Sequence, residues 1–251
     1  MGYTHMQIKD LLDESRRHAC DGVGPDHVCV KIAAIAELPS RFGQFHIIAF
    51  YNNRDQKEHV AIVRGDVTNA EDVPVRVHSE CLTGDVIGSL RCDCRDQLET
   101  ALRMIGGMDK GILLYMRQEG RGIGLINKIR AYGLQEHGFD TVEANIALGF
   151  RDDERDYSVA AHMLESLKVR SIKLITNNPK KIEDLEKNGI CVTGRIPHIM
   201  QPNQYNRFYL ETKALKSGHL IDMFGKEHLQ EQADLPIVEG MDRLIQKNDL
   251  N

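Results

Sequence analysis

The hydrophobic period changes part-way along the chain, and that change limits the fold more than any other feature. From His27 to about Val77 the pattern is that of strands. HVCVKI alternates, and QFHIIAFY and HVAIVRG are short β-rich runs separated by polar turns such as NNRDQ. After Cys94 the spacing becomes helical: Leu98, Ala101, Leu102 and Ile105 fall at i, i+3, i+4 and i+7 and predict an amphipathic helix that stops at Gly106-Gly107. GILLYM (111–116) predicts a buried strand. Ile126, Ile129 and Leu134 mark a helix ended by Gly138, and Ala160, Met163, Leu164 and Leu167 mark another. SIKLIT (171–176) predicts a second buried strand, turned by Asn177-Asn178-Pro179 into a helix carrying Ile182 and Leu185, with Gly189 ending that helix before the strand ICVTG. Strand–helix alternation implies parallel strands with helices packed on them. The expected fold class is α/β, an antiparallel β-rich N-terminal third packed with an α/β mixed-sheet remainder as a single compact domain. Residues 1–27 read as a polar N-terminal extension with a short helical stretch around Ile8 to Arg17, residues 28–220 as the main folded unit, and residues 221–251 as a charged, amphipathic C-terminal tail.

Composition narrows the function classes. With 251 residues, 41% hydrophobic and 27% charged, the chain can bury a core. A net charge of −5 and an aromatic content of 6% without Trp argue against a nucleic-acid surface, so any bound anion should meet a local basic pocket. No apolar run approaches the ~20 residues of a membrane span, and MGYTHMQIKDLLDESRRHACDG has no apolar signal core. The expectation is a cytoplasmic protein with no membrane partner. Six Cys are far below disulfide-scaffold density, so clustered ones suggest metal or catalysis.

Cys81, Cys92 and Cys94 form C-x10-C-x-C within RVHSECLTGDVIGSLRCDC (76–94). Thiolates are soft ligands that suit Zn²⁺, and three of them leave a fourth tetrahedral position for water, whose pKa the metal lowers toward ~7. The alternative is three buried free thiols, but Arg91 and Asp93 interleave the pair and speak against a pure core run. Cys20, Cys29 and Cys191 each stand alone in a helical or strand pattern and read as structural. His78-x-Glu80 beside a Cys pair has the look of the zinc-deaminase signature, which fails here because the pair is C-x-C without the Pro.

RQEGRGIGLINKIR (117–130) sets Arg117, Arg121, Lys128 and Arg130 against Glu119 alone. Gly120, Gly122 and Gly124 allow close backbone approach, and the helix that follows would favour anions at its N-terminus. Neither a P-loop nor a dinucleotide fingerprint is present. DDERD (152–156) and TNNPKK (176–181) add polar groups at strand ends, where ligands of α/β sheets gather. Taken singly, a Gly-rich loop reads as a solvated turn, DDERD as a solvated face, and Glu143 and Asn145 as cap or turn residues.

Together these runs resemble the GTP cyclohydrolase II family, which opens the riboflavin pathway. The matching stretches are RVHSECLTGDVIGSLRCDC, LLYMRQEGRGIGLINKIRAY, DTVEANIALGF, DERDY, LITNNPKKI and YLETKALKSGHL, with ELPSRFGQF (37–45) also similar, over roughly residues 28–220. The resemblance implies one zinc per subunit on Cys81, Cys92, Cys94 and water. It implies GTP contacts at Arg76, Val77, His78, Ser79, Glu80, Gln97, Glu119, Gly120, Arg121, Thr141, Thr176 and Lys181. It also implies Asp153 as proton acceptor, Arg155 as nucleophile, Mg²⁺ with the substrate triphosphate, and a homodimer. Tyr132 is the position whose identity in the family goes with complete deformylation; packing in the core is its plainer explanation. Many bacterial relatives carry a preceding dihydroxybutanone-phosphate synthase domain. Fewer than 28 residues precede the matching region, so the stand-alone form is expected.

The implied reaction converts GTP and water into formate, pyrophosphate and 2,5-diamino-6-(5-phosphoribosylamino)pyrimidin-4(3H)-one, by hydrolytic opening of the imidazole ring at C8. Glu80 or Glu119 could hold the guanine N1/N2 edge. Arg155 attacking the α-phosphate asks a guanidinium of pKa above ~12 to lose a proton, so a bidentate phosphate clamp is an equally physical role. Two rivals stand beside this reading. A zinc deaminase-like enzyme would release ammonia and leave the ring closed, and a non-enzymatic zinc module would hold its metal with four protein ligands.

Overall fold

The computed structural model describes residues 2–18, 27–198, 200, 205 and 206; Cys20, the run YLETKALKSGHL and the tail from 221 lie outside the described residues. Strands β1 (Val30–Ser40), β2 (Gly43–Asn52), β3 (His59–Arg64), β4 (Val73–Ser79), β5 (Gly111–Met116), β6 (Ile172–Ile175) and β7 (Val192–Ile196) form one sheet in the order β1-β2-β3-β5-β4-β6-β7. Helices α1 (His5–Arg17), α2 (Cys94–Gly106), α3 (Gly124–Gln135), α4 (Thr141–Ala147), α5 (Ser158–Ser166) and α6 (Pro179–Lys187) accompany it.

Two-residue and short polar turns join β1, β2 and β3 as antiparallel neighbours, Ser40 facing Gly43 across the first turn. β3 then pairs antiparallel with β5, while β5–β4, β4–β6 and β6–β7 are parallel. Parallel pairs need crossovers, and the helical segments between β4, β5, β6 and β7 supply them. The mixed α/β sheet expected from the change of period is therefore a single sheet whose antiparallel and parallel halves meet at β5. The chain leaves β4 for β5 on one side and returns to β6 on the other. The strand order reverses at β4, and ligands of such sheets bind beyond the carboxyl ends of the strands at the reversal.

β5 shows why GILLYM is apolar throughout. Ile112, Leu114 and Met116 join a core with Val159, Met163 and Leu164 of α5, whereas Leu113 packs with Ala101 and Ile105 of α2. Burying an Ile or Leu side chain contributes about 1.5–3 kcal/mol, so both faces of this strand are tied down and only its end remains available for chemistry.

Other details depart from the sequence pattern. α3 forms where its apolar residues predict a helix, yet Ile126 is 72% and Ile129 51% exposed. The inward face carries Lys128, Ala131, Tyr132 and Gln135 instead. α4 was not visible as apolar periodicity; Asp140 accepts from the Val142 and Glu143 N–H groups and Glu143 accepts from the Asp140 N–H, a capping box. Glu143 is thus a cap residue, as its bland reading had it. Cys29 is buried and disulfide-bonded, a structural role, whereas Cys191 is an exposed free thiol.

Candidate active site

Immediately beyond β4 the chain makes a π-turn over Leu82–Val86, with Cys81 at its start. Asp85 fixes that turn from within. Its buried carboxylate accepts the Cys81 N–H at 3.0 Å and the Tyr115 hydroxyl at 2.9 Å, and lies 3.0 and 3.1 Å from His78 Nε2. The His78 ring stacks on Tyr115, and burial lowers its pKa below the ordinary histidine value.

This turn brings Cys81 against Cys92 and Cys94, the latter at the start of α2. The Cys81 and Cys92 sulfurs are 3.7 Å apart, and all three lie within 4.8 Å of one another. Tetrahedral Zn–S bonds of ~2.3 Å separate two sulfurs by about 3.8 Å, so the trio has the spacing of a zinc triad. Gly84 closes the other side. A Cβ there would sit 2.8 Å from Cys92 Sγ, 2.9 Å from Cys94 Cβ and 3.0 Å from Cys81 Sγ, a cradle that admits only glycine. Hydrogen bonds from the Cys92 and Cys94 thiols, with the Lys128 charge, pull the Cys81 thiol far below its ordinary value. Its bond to Cys81 in turn pushes the Cys92 thiol up to about 11, and Cys94 rises for the same reason. The donor set is soft sulfur. These residues fit zinc.

The Gly/Arg segment is built, not a solvated turn. Gly120 and Arg121 adopt left-handed backbone within a 3-10 turn over Glu119–Gly122. Gly122 (φ 95°) lets the chain meet the DDERD run, since a Cβ there would lie 2.8 Å from the Glu154 carbonyl carbon. The Glu154 N–H donates to the Arg121 carbonyl at 2.9 Å, and Arg121 pairs with Asp152. Close backbone approach therefore serves the chain itself at this glycine.

DDERD is likewise no solvated face. Asp153 and Arg155 keep only 12% and 15% of their side chains exposed and pair through Arg155 Nε, 2.8 Å from Asp153 Oδ1, and through Nη2. Burial opposes ionisation of Asp153, but the hydrogen bonds and charge of Arg155 outweigh it and hold the carboxyl at about 2.

Glu119 is fully engaged. One oxygen accepts the Leu82 N–H at 2.6 Å; the other accepts the Gly120 N–H at 2.8 Å and Lys128 Nζ at 2.7 Å. Glu80 has only a 3.6 Å pairing with Arg117.

These elements enclose a cleft of about 410 Å³. Of the residues singled out from sequence, Ser79, Glu80, Cys81, Cys92, Cys94, Glu119, Gly120, Arg121, Tyr132, Thr141 and Arg155 line it. Tyr132 thus faces the cleft and not the core, its hydroxyl 3.2 Å from Thr83 Oγ1. Arg76, Val77, His78, Gln97, Asp153, Thr176 and Lys181 are not on the cleft wall. Arg76 donates to the Ile175 carbonyl and to Gln97, and burial brings its guanidinium down to about 10 despite nearby Asp93. Lys181 donates to the Val77 carbonyl at 2.9 Å, and Thr176 Oγ1 accepts the Asn178 N–H. The Val77 side chain lies in the core. Sequence reasoning missed Asp85, Gly84 and the wall residues Gln135, Phe139 and Tyr205. No local pattern marks them, because their roles follow from how the π-turn and α3 fold over the thiols.

The sequence is similar to that of known proteins. A family model described as GTP cyclohydrolase II matches residues 31–197. A GTP cyclohydrolase-2 of Picrophilus torridus is 58% identical over 185 residues, 74% of this chain and 96% of its own length. One from Histophilus somni is 52% identical over 200 residues, covering 80% and 93%. The riboflavin biosynthesis protein RibBA of Bacillus mycoides is 56% identical over 216 residues, 86% of this chain but 52% of that longer protein.

Proposed function

The chain belongs to the GTP cyclohydrolase II family, a hydrolase family of riboflavin biosynthesis, and on that premise we propose that it hydrolyses GTP to formate, pyrophosphate and the ring-opened 2,5-diamino product. The observation that carries this reading is the three-thiol cluster at zinc spacing, set in a cleft walled by Glu80, Arg121, Tyr132 and Arg155. The cleft volume lies within the ~300–1,000 Å³ of small-molecule sites.

Cys81, Cys92 and Cys94 would hold the zinc, which when bound activates water as a Lewis acid. Glu80 reads the guanine N1/N2 edge, because its carboxylate is open where that of Glu119 is spent on Leu82, Gly120 and Lys128. Glu119 contributes by holding the loop after Cys81. Arg121 and Arg155 meet the phosphates with the two-point geometry a guanidinium offers, and Mg²⁺ accompanies the triphosphate. Arg76, His78, Gln97, Thr176 and Lys181 form the layer that supports the cleft. Tyr132, tied to Thr83 beside the thiols, assists loss of formate. The catalytic unit spans 28–220, works in the cytoplasm and pairs as a homodimer. Among the described residues no helix is long and apolar enough to cross a membrane.

A product assay tests the reading. Purified protein with GTP, Mg²⁺ and stoichiometric zinc should release formate and pyrophosphate in equal amounts and no ammonia, and Cys92→Ser should release neither. Pyrophosphate without formate would overturn the role given to Tyr132, ammonia would favour a deaminase, and no product from folded, zinc-loaded protein would refute the enzyme. Inosine triphosphate, lacking the exocyclic amine, should be a poor substrate, and Glu80→Gln should blunt that discrimination.

A further inference from the structure

Lys128 belongs to none of the roles that the family resemblance distributes, yet its ammonium reaches the thiol cluster. Its side chain is 11% exposed, and its ammonium lies 3.1 Å from Cys81 Sγ and 2.7 Å from Glu119 Oε1. It also stands 5.7 Å from the centre of the Tyr132 ring, one helical turn further along α3 and within cation–π range. The other Glu119 oxygen accepts the N–H of Leu82, the residue after Cys81. Cys81, Leu82, Glu119 and Lys128 therefore close a ring, and the ring restrains the Cys81 side chain against the loop that carries it.

Charge supplies the second argument. Three thiolates and one divalent ion sum to −1, and in a partly desolvated site an unbalanced charge is costly. Lys128 brings +1 to within 3.1 Å of one of the three sulfurs. Glu119 keeps the ammonium itself from being buried unpaired. A lysine meant only to neutralise Glu119 would not need to reach the sulfur.

We infer that Lys128 is a positioning residue of the metal centre, which orients Cys81 and balances the charge of the three-thiolate site. This rests on the zinc site proposed above. The test uses the full chain as wild type, Lys128→Met, which keeps length without charge, and Lys128→Arg, which keeps charge. Zinc affinity is read by chelator competition, ligand geometry by the cobalt(II) d–d and thiolate charge-transfer bands, and turnover as separate kcat and KM.

Removal of a group that orients a metal ligand typically costs about 10- to 100-fold in metal affinity. That loss is expected for Lys128→Met, with altered cobalt bands and a fall in kcat larger than the change in KM, and Lys128→Arg should recover most of the affinity. Wild-type affinity and spectrum in Lys128→Met, with only a lower melting temperature, would overturn the inference. So would Lys128→Arg binding as weakly as Lys128→Met, because charge would then not be the operative property. Should Lys128→Met fail to fold by circular dichroism, Lys128→Gln takes its place in the same comparison. A wild-type chain that binds no zinc would instead refute the proposed zinc site, a result readable before any variant is made.

Discussion

Arg155 is a cation already held on two points by a carboxylate, and that pairing favours the clamp over the nucleophile. Asp153 is the nearest base, and the pairing keeps its carboxyl at about 2. Moving a proton to it from a guanidinium of pKa above ~12 spans about ten units, on the order of 14 kcal/mol uphill. A clamp needs no such step, because the guanidinium keeps its proton and its charge throughout. Acid quenching during the first turnover of α-labelled GTP should accordingly recover no guanylyl–enzyme adduct, while Arg155→Ala should lower kcat/KM by about 100-fold or more. A stoichiometric adduct would establish the nucleophilic role. Neither residue is legible in isolation, because DDERD reads as a solvated face. What draws it inward is the meeting of Arg121 and Gly122 with Asp152 and Glu154, some 31 positions away, a contact that local pattern does not encode.

At the scale of elements, the site depends on the π-turn after β4 more than on any regular helix. Gly84 is its tightest point, since a methyl group would meet two sulfurs and a Cβ at 3.0 Å or less. Gly84→Ala should therefore lose most bound zinc and activity while the sheet, whose strand pairing does not involve the turn, keeps its circular dichroism. Full zinc occupancy by elemental analysis together with wild-type turnover would show that the cradle is looser than this. The same scale shows what sequence pattern can carry. β5 and α2 are legible because each buries a continuous apolar face. α3 is legible as a helix but not in orientation, since Ile126 and Ile129 face outward and the pocket face holds Lys128, Tyr132 and Gln135. α4, seven residues long, is too short to display a period, although the Asp140 and Glu143 capping pair marks its start. The π-turn has no sequence signature; its Cys spacing announces a ligand cluster without saying how the chain bends to form it.

For the whole molecule, the mixed sheet was legible but its strand order was not, because pairing β3 with β5 and sending β6 to the far side of β4 is set by long-range packing. The outward apolar residues acquire meaning here. Val86, Ile87 and Leu90 after the π-turn and Leu125, Ile126 and Ile129 on α3 are all exposed, on elements that frame the cleft. In a homodimer they would be covered, so light scattering should give twice the chain mass, and Ile126→Glu with Ile129→Glu should halve it; a wild-type monomer at micromolar concentration would refute the dimer. Acid stability follows from burial in the same integrated way. His46, His59, His78 and His198 are buried, and burial lowers the pKa of each, for His198 from 6.5 to about 4. Below pH ~6.5 the unfolded chain takes up protons that the folded chain refuses, so stability falls as pH drops, until the folded groups titrate. For His198 this costs about 1.4 kcal/mol per pH unit between 6.5 and its folded value of about 4. Asp153 acts later: its carboxyl stays ionised in the folded chain down to about 2, so its contribution persists above its ordinary 3.8 and is lost between there and pH 2. Urea midpoints in zinc-replete buffer should be level from pH 8 to 7 and decline from 6.5 towards 4. His198→Gln, whose amide can still donate to the Gln97 carbonyl that His198 Nε2 meets at 2.9 Å, should flatten that decline. A decline of equal slope in the variant would mean that His198 is not held neutral by the fold.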